Sequence, residues 1–153
     1  MRTILTAIVL IASPVPALAQ ATPQTAAEAP IVAEARAFMA AYAEDLRHGD
    51  SDAIVARYDR RGVYFPMDAV PFQSFAAVGA LYRGEDWTGP KSFEWQSLAY
   101  EPLSPDAVMV TGSFLWGRET GEISPFGYTG LLIRQNGVLR IRLEHESPLT
   151  PSP

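Results

Sequence analysis

Two side chains near the end of the sequence are suited to acid/base chemistry: the imidazole of His145 and the phenol of Tyr128. Histidine exchanges protons near neutral pH, and a tyrosine hydroxyl can donate a hydrogen bond to a ligand oxygen. Together at the wide end of a concave sheet, they would form a general acid/base and its hydrogen-bond partner. The alternative is that His145 is a structural histidine bonded to a backbone carbonyl or to Tyr128, and that Tyr128 is a packing residue.

A hairpin signal places these two residues opposite each other. Asn136-Gly137 is the strongest short signal for a two-residue turn, here between strands 126–135 and 138–147. Counting back from the turn pairs Tyr128 with His145, and directly paired residues share a face. The face expected to point inward carries Tyr128, Leu132, Leu139, Ile141, Leu143 and His145. The opposite face, a solvated surface or a dimer contact, carries Leu131, Ile133, Arg140, Arg142, Glu144 and Glu146. One extra residue in the turn would reverse this assignment.

Aromatic and acidic residues supply further candidates for a ligand site. The rings that could line a pocket for a cyclic ligand are Tyr42, Tyr64, Phe93, Trp95, Phe114 and Trp116. Taken singly, most such rings belong to a hydrophobic core. Asp59 and Asp68 lie near the second helix and the segment after it, and either would be a general base if it is buried. The alternative for both is a solvated surface carboxylate.

Several kinds of site are disfavoured by what the sequence lacks. His48 and His145 are the only histidines and there is no cysteine, so no metal site is expected. There is no G-x-S-x-G nucleophile motif, and Gly84 and Gly89 do not make a phosphate-binding loop. The formal net charge of −5 gives no electrostatic reason to bind nucleic acid. We therefore expect no cofactor and no nucleic-acid partner.

The spacing of apolar residues predicts an α+β fold with helices first and a sheet of long antiparallel strands after them. Apolar residues recur at three- and four-residue steps from Val32 to Leu46, which predicts a helix that starts at Pro30 and ends at Gly49. Asp50 then caps a shorter second helix whose apolar face includes Tyr58. The remaining elements expected are the end of that helix at 60–62, a short strand at 63–65, a third helix at 74–82, and strands at 92–101, 107–116, 126–135 and 138–147.

The two ends of the chain have a different character from the middle. Arg2, the apolar run 4–12 and the small-x-small site 17–19 predict a signal peptide over residues 1–19, with an uncleaved anchor as the alternative. Residues 20–29 would be a flexible leader, 30–147 the folded domain and 148–153 a proline-rich tail. We expect a periplasmic or secreted protein that has no membrane contact after the signal is cleaved.

Two groups of residues resemble the SnoaL-like branch of the nuclear transport factor 2-like superfamily. The first is the long first helix followed by His48-Gly49-Asp50 and Ala53-Ile54. The second runs from Tyr128-Thr129-Gly130-Leu131-Leu132-Ile133-Arg134 through Asn136-Gly137 and Leu139-Arg140-Ile141 to Glu144-His145-Glu146-Ser147. Leu139 departs from the tryptophan that the family often has there. The resemblance implies a cystatin-like cone, in which a curved sheet is wrapped by helices around a deep apolar pocket, and frequent dimerisation through sheet faces.

Three functions fit these expectations, because such folds host many activities. The first is binding of a small, mostly apolar organic molecule without an assigned reaction. The second is a cofactor-free enzyme of the isomerase, dehydratase, cyclase or hydrolase type that uses His145 as its general acid/base. The third is a dimeric interaction scaffold. A pocket-facing carboxylate within reach of His145 would favour the enzyme over the binding module, and a strictly monomeric protein would count against the scaffold.

Overall fold

The computed structural model describes residues 29–65 and 73–149, which form three helices and six strands. In chain order the elements are α1 (Pro30–His48), α2 (Ser51–Ala56), β1 (Tyr58–Phe65), β2 (Gln73–Ser74), α3 (Phe75–Tyr82), β3 (Ser92–Ser104), β4 (Ala107–Gly117), β5 (Ile123–Gln135) and β6 (Val138–Pro148). Among these described residues, no helix has both the length and the hydropathy needed to span a membrane.

The six strands form one curved, open sheet in the order β2-β1-β6-β5-β4-β3. Strands β3 to β6 are an antiparallel meander, which confirms the predicted α+β layout. Strand β1 lies parallel to β6, so the sheet is mixed rather than wholly antiparallel. Helix α1 packs against β3, β4 and β6, and α3 packs against β1 and α2. The space between helices and sheet holds the buried core.

The first helix matches its prediction, and the second is shorter than predicted. Helix α1 begins at Pro30 and ends before Gly49, and the side chain of Asp50 accepts a hydrogen bond of 3.0 Å from the backbone nitrogen of Ala53 to cap α2. Helix α2 stops at Ala56 rather than at 60–62, and Tyr58 is the first residue of β1. The backbone nitrogen of Ile141 donates to the carbonyl of Arg57 at 2.8 Å. Pairing with β6 therefore overrides the helical pattern of this segment.

The predicted hairpin turn is present, but the pairing beyond it contains a bulge. Asn136 and Gly137 both have positive φ, 51° and 81°, as a two-residue turn of this type requires. The pairs nearest the turn are those predicted, out to Leu132 with Ile141. The next pair is Leu131 with Leu143, so Arg142 is one extra residue in β6.

This extra residue reverses the predicted faces of the rest of β6. Tyr128 lies opposite Glu146 rather than His145, and His145 pairs with Thr129 on the outer face, where it is exposed. Glu144 and Glu146 are buried. The register prediction is thus correct for Leu132, Leu139 and Ile141 and wrong for Leu143, Glu144, His145 and Glu146. It failed because counting from the turn assumes that residues pair one for one.

A glycine in the middle of β5 gives one buried side chain the room that it needs. Gly130 lies between Val110 of β4 and Glu144 of β6 in the sheet. A Cβ at this position would be 2.5 Å from the hydroxyl oxygen of Tyr128. That distance is far inside van der Waals contact, so any larger residue at this position forces the Tyr128 ring to shift.

We expect Gly130→Ala to destabilise the protein by about 1–3 kcal/mol, because the added methyl overpacks the core. Gly127→Ala on the same strand is the matched control, since the nearest atoms to its Cβ would be the Ser147 hydroxyl at 3.3 Å and a Leu149 methyl at 3.4 Å. Urea unfolding of both variants measures the difference. Equal losses in the two variants would show that the Tyr128 hydroxyl does not depend on the space at Gly130.

Candidate functional site

Five of the six tyrosines surround two glutamates in the interior between the helices and the sheet. The tyrosines come from α1, β1, α3 and β5, and the glutamates are alternate residues of β6. The members of this tyrosine–glutamate cluster are Tyr42, Tyr58, Tyr64, Tyr82, Tyr128, Glu144 and Glu146. None of them is more than 8% exposed. A buried carboxylate requires hydrogen-bond donors, and the phenols supply them.

Glu144 is the deeper of the two carboxylates, with no exposed surface. Its Oε2 accepts a hydrogen bond from the Tyr58 hydroxyl, and the Tyr42 hydroxyl lies 3.5 Å from the same oxygen. The hydroxyls of Tyr42 and Tyr58 are 2.9 Å apart. A phenol has only one proton, so Tyr58 donates to Glu144 and accepts from Tyr42. The Tyr82 hydroxyl lies 3.5 Å from that of Tyr58 and extends the network toward α3.

Glu146 lies two residues further along β6, so its side chain is on the same face as that of Glu144. Its Oε2 accepts a hydrogen bond of 3.0 Å from the hydroxyl of Tyr64. Glu146 retains 8% exposure, against none for Glu144. The two carboxyl groups thus differ in burial: Glu144 is fully buried in the core, and Glu146 lies closer to solvent.

Burial favours the protonated form of both carboxyl groups in this cluster. Burial raises the pKa of Glu144 to about 7, although the hydrogen bond from Tyr58 acts in the opposite direction. Burial also raises the pKa of Glu146 well above its ordinary value, and the negative charge of Glu144 raises it further. Two like charges this close cannot both be stable in a low-dielectric interior, so the pair carries at most one charge at neutral pH.

The phenols of the cluster remain donors over the whole physiological pH range. Burial raises the pKa of every one of them above its ordinary value, and the nearby carboxylates add to the effect. The Tyr128 hydroxyl and Oε1 of Glu144 are buried without a hydrogen-bond partner among the described residues. The side chains of Tyr128 and Glu144 still interact electrostatically with each other. Burial raises the pKa of Glu144 by more than Tyr128 acts to lower it.

A cavity of about 760 Å³ opens beside the cluster. Its walls come from β1, β2, α3, the segment after α3, the facing ends of β4 and β5, and the segment that joins those two strands. The aromatic lining consists of Tyr64, Tyr82, Trp87, Trp116 and Phe126. The charged side chains of the lining are Asp86, Arg118 and Glu119. Volumes of this size accommodate small organic ligands.

Two tyrosines belong both to the cavity and to the cluster. Tyr64 lines the cavity and donates to Glu146, and Tyr82 lines it and lies next to Tyr58. A ligand in the cavity would therefore be one hydroxyl away from Glu146 and two away from Glu144. This arrangement can exchange a proton with a ligand, or donate a hydrogen bond to it, without a metal or cofactor.

The aromatic residues singled out in the sequence are all on the inner side, but only two line the cavity. Tyr64 and Trp116 form part of its wall. Phe114 is fully buried and stacks on Phe93 and Phe126. Trp95 packs on Tyr128 and donates its ring nitrogen to the carbonyl of Met39 at 3.1 Å. Tyr42 belongs to the cluster through its hydroxyl.

The polar candidates are placed differently from what was expected. His145 lies on the outer face, where its ring packs edge-on against Phe65, and the pairing with Tyr128 that suggested its acid/base role is absent. Tyr128 is in the cluster, opposite Glu146. Asp59 is fully buried, but its carboxylate binds arginines on the other side of the sheet from Glu144. Asp68 lies outside the described residues.

The residues that the sequence argument missed are Tyr58, Tyr82, Glu144 and Glu146, together with the cavity rings Trp87 and Phe126. The two glutamates were assigned to the outer face by the unbulged register. One signal was available: a glycine inside a strand often marks a bulge or a close approach. Gly130, opposite Glu144, is such a glycine.

No protein-family model matches this sequence, and a search of curated proteins finds no relative. Solved structures do match. An NTF2-like protein of unknown function from Pseudomonas putida KT2440 is 22% identical, with a TM-score of 0.68 over 76% of this chain and 87% of that one. A candidate scytalone dehydratase from Novosphingobium aromaticivorans is 10% identical, with a TM-score of 0.65 over 78% and 85%.

A third match adds a description of the architecture. It is an NTF2-like protein with a cystatin-like fold, also from Novosphingobium aromaticivorans, 16% identical with a TM-score of 0.61 over 79% of this chain and 83% of that one. At these identities the likeness establishes the fold and not the activity. The resemblance inferred from the sequence is confirmed at that level: this chain has the nuclear transport factor 2-like, cystatin-like fold.

Proposed function

We propose that the 760 Å³ cavity binds a small, mostly apolar organic molecule that carries at least one oxygen atom. The observation that carries this proposal is the joint role of Tyr64 and Tyr82, which line the cavity with aromatic surface and connect it to buried carboxylates. Aromatic walls favour flat or cyclic ligands, and a few placed hydroxyls orient them.

A second candidate function is cofactor-free proton transfer on the bound molecule. It is favoured by one specific observation, the hydrogen bond of 3.0 Å between Tyr64 in the cavity wall and Glu146 behind it. A carboxyl group whose pKa is raised toward neutrality can both take and return a proton at physiological pH. In this reaction Glu146 is the general acid/base, the Tyr64 hydroxyl relays the proton between Glu146 and the ligand, and Glu144 tunes the pKa of Glu146 by its charge.

We further propose that the chain is exported. This rests on Arg2, the apolar run 4–12 and the cleavage-type sequence at 17–19, which together have the form of a secretory signal. The complete lack of cysteine is compatible with an oxidising compartment, because no thiol is at risk there.

Ligand binding is tested by a thermal-shift screen of cyclic ketones, terpenoids, sterols and aromatic polyketides. A compound at one hundred times its dissociation constant adds ~2.7 kcal/mol, which raises the melting temperature by several degrees. We expect the same compound to quench tryptophan fluorescence, since Trp87 and Trp116 line the cavity.

The binding should be lost in Trp116→Ala and kept in Leu103→Ala. Leu103 is an apolar residue near the end of β3, is 52% exposed and does not line the cavity. This control therefore also removes an apolar side chain, but outside the proposed site. Equal losses in both variants, or binding that survives Trp116→Ala unchanged, would place the ligand outside this cavity.

Stability should fall as the pH rises from about 4.5 to about 7. The folded state keeps Glu144 and Glu146 protonated above their ordinary pKa of 4.5, whereas the unfolded state releases those protons, so deprotonation favours unfolding across this window. Urea unfolding as a function of pH measures the slope. Glu144→Gln should flatten it, and Glu101→Gln, which alters an exposed carboxyl on β3, should not. A slope that Glu144→Gln leaves unchanged would mean that the buried pair is not its source.

Proton transfer is tested by following the α-protons of a bound ketone by NMR in heavy water. If Glu146 is the general base, the protein accelerates exchange of those protons, and Glu146→Gln slows it by about 100-fold or more. Tyr64→Phe should also slow exchange, because it removes the hydroxyl through which Glu146 reaches the ligand. A ligand that binds without any acceleration of exchange would leave binding as the function and remove the enzyme candidate.

A further inference from the structure

The orientation of Glu144 and Glu146 depends on a single extra residue, Arg142. Without the bulge, one-for-one pairing would turn Leu143 and His145 inward and both glutamates outward. An interior that contains a leucine and one neutral imidazole costs less than one that contains two carboxyl groups. Hydrophobic burial alone therefore favours the other register, and some interaction has to stabilise the bulge.

Asp59 makes that interaction. It lies on β1, the strand beside β6, and its side chain is fully buried. Its Oδ2 accepts a hydrogen bond of 3.0 Å from a guanidinium nitrogen of Arg142. Its Oδ1 accepts from the backbone nitrogen of Arg61 at 3.1 Å and from the side-chain amide of Gln135 at 3.2 Å. The aspartate thus connects the bulged residue to the end of β5 and to its own strand.

Asp59 is charged in this position. Burial acts to raise its pKa, but hydrogen bonds from the backbone of Arg61 and the side chain of Arg142 outweigh it, so the pKa lies below its ordinary value. A second arginine nitrogen, from Arg61, lies 3.5 Å from Oδ2. The Arg142 side chain is 35% exposed, whereas Asp59 has no exposed surface, so removing Arg142 would leave a buried carboxylate without this partner.

The backbone of β1 is shaped to fit the bulge. Tyr58 lies opposite Ile141 and Val63 opposite Leu143, so four residues of β1 span the position that Arg142 alone occupies in β6. Gly62 closes this irregular stretch, and a Cβ there would be 3.1 Å from the carbonyl of Ile141 and 2.8 Å from that of Asp59. The two strands therefore approach each other more closely here than a side chain would allow.

We propose that Asp59 is the positioning residue of the site: by holding Arg142 in the bulge it fixes the register of β6, and so determines whether the glutamate pair or Leu143 and His145 face the interior. The effect is on placement and not on chemistry, since Asp59 lies across the sheet from the cluster. The proposal does not depend on whether the cavity binds a ligand.

The complete absence of cysteine from the chain permits a direct test by thiol labelling. A single cysteine introduced as His145→Cys is on the outer face of β6 and should react readily with a thiol reagent. A second reporter, Thr129→Cys, is its cross-strand neighbour on β5 and faces outward in either register. In an Asp59→Ala background we expect labelling at position 145 to slow by about tenfold or more, because a buried thiol reacts only after local opening, while labelling at position 129 keeps its rate.

Each other outcome overturns the proposal. Unchanged labelling at position 145 would show that the register does not need Asp59, and faster labelling at both positions would show that Asp59 stabilises the fold as a whole. Arg142→Ala should slow labelling at position 145 as much as Asp59→Ala, with no further slowing in the double variant. Asp106→Ala is the matched control, because it also removes an aspartate bound to an arginine, Arg134 at 3.0 Å, but at an exposed position away from the bulge.

Discussion

The interior of this protein is organised by the need to keep two neighbouring carboxyl groups out of water. Glu144 and Glu146 each require donors, and a shared interior cannot hold both charges. Phenols meet the first requirement, since each brings one donor on a large apolar ring. Protonation meets the second. The cluster is therefore a compromise in which hydrogen bonds and retained protons together offset the cost of burial.

This compromise also connects the layers of the fold. Tyr42 comes from α1, Tyr82 from α3 and Tyr58 from β1, and their hydroxyls meet at or near Glu144. The long first helix is thus attached to the sheet by polar contacts as well as by packing. Because these hydroxyls must lie within reach of one another and of Glu144, the cluster specifies how these elements sit on the sheet as well as stabilising them. The same groups border the cavity, so the polar centre of the fold and the candidate site coincide.

Much of this architecture could be predicted from local sequence signals. The α1 helix and the Asn136-Gly137 turn follow from short-range patterns that the tertiary structure does not contradict, and the β3–β6 meander follows from a change in hydrophobic period. The candidate site could not be predicted in the same way. Its glutamates are separated from the turn by the bulge at Arg142, and a bulge is produced by contacts between strands rather than by local propensity. The prediction for the start of β1 was wrong for a related reason: the helical pattern through Tyr58 is overridden by pairing with β6.

Fold neighbours cannot decide what this site does, since the same architecture is found in proteins that are described in quite different terms. What distinguishes this site is the arrangement of side chains on the two faces of the sheet. On one face a charged aspartate holds an arginine in the bulge, and on the other a pair of carboxyls keeps its protons beside a cavity. Arg142 is the extra residue in β6, and pairing without it would exchange the two glutamates for Leu143 and His145 in the interior. In this fold, the chemistry that the cavity can offer is therefore set by strand register as much as by the residues that the sequence contains.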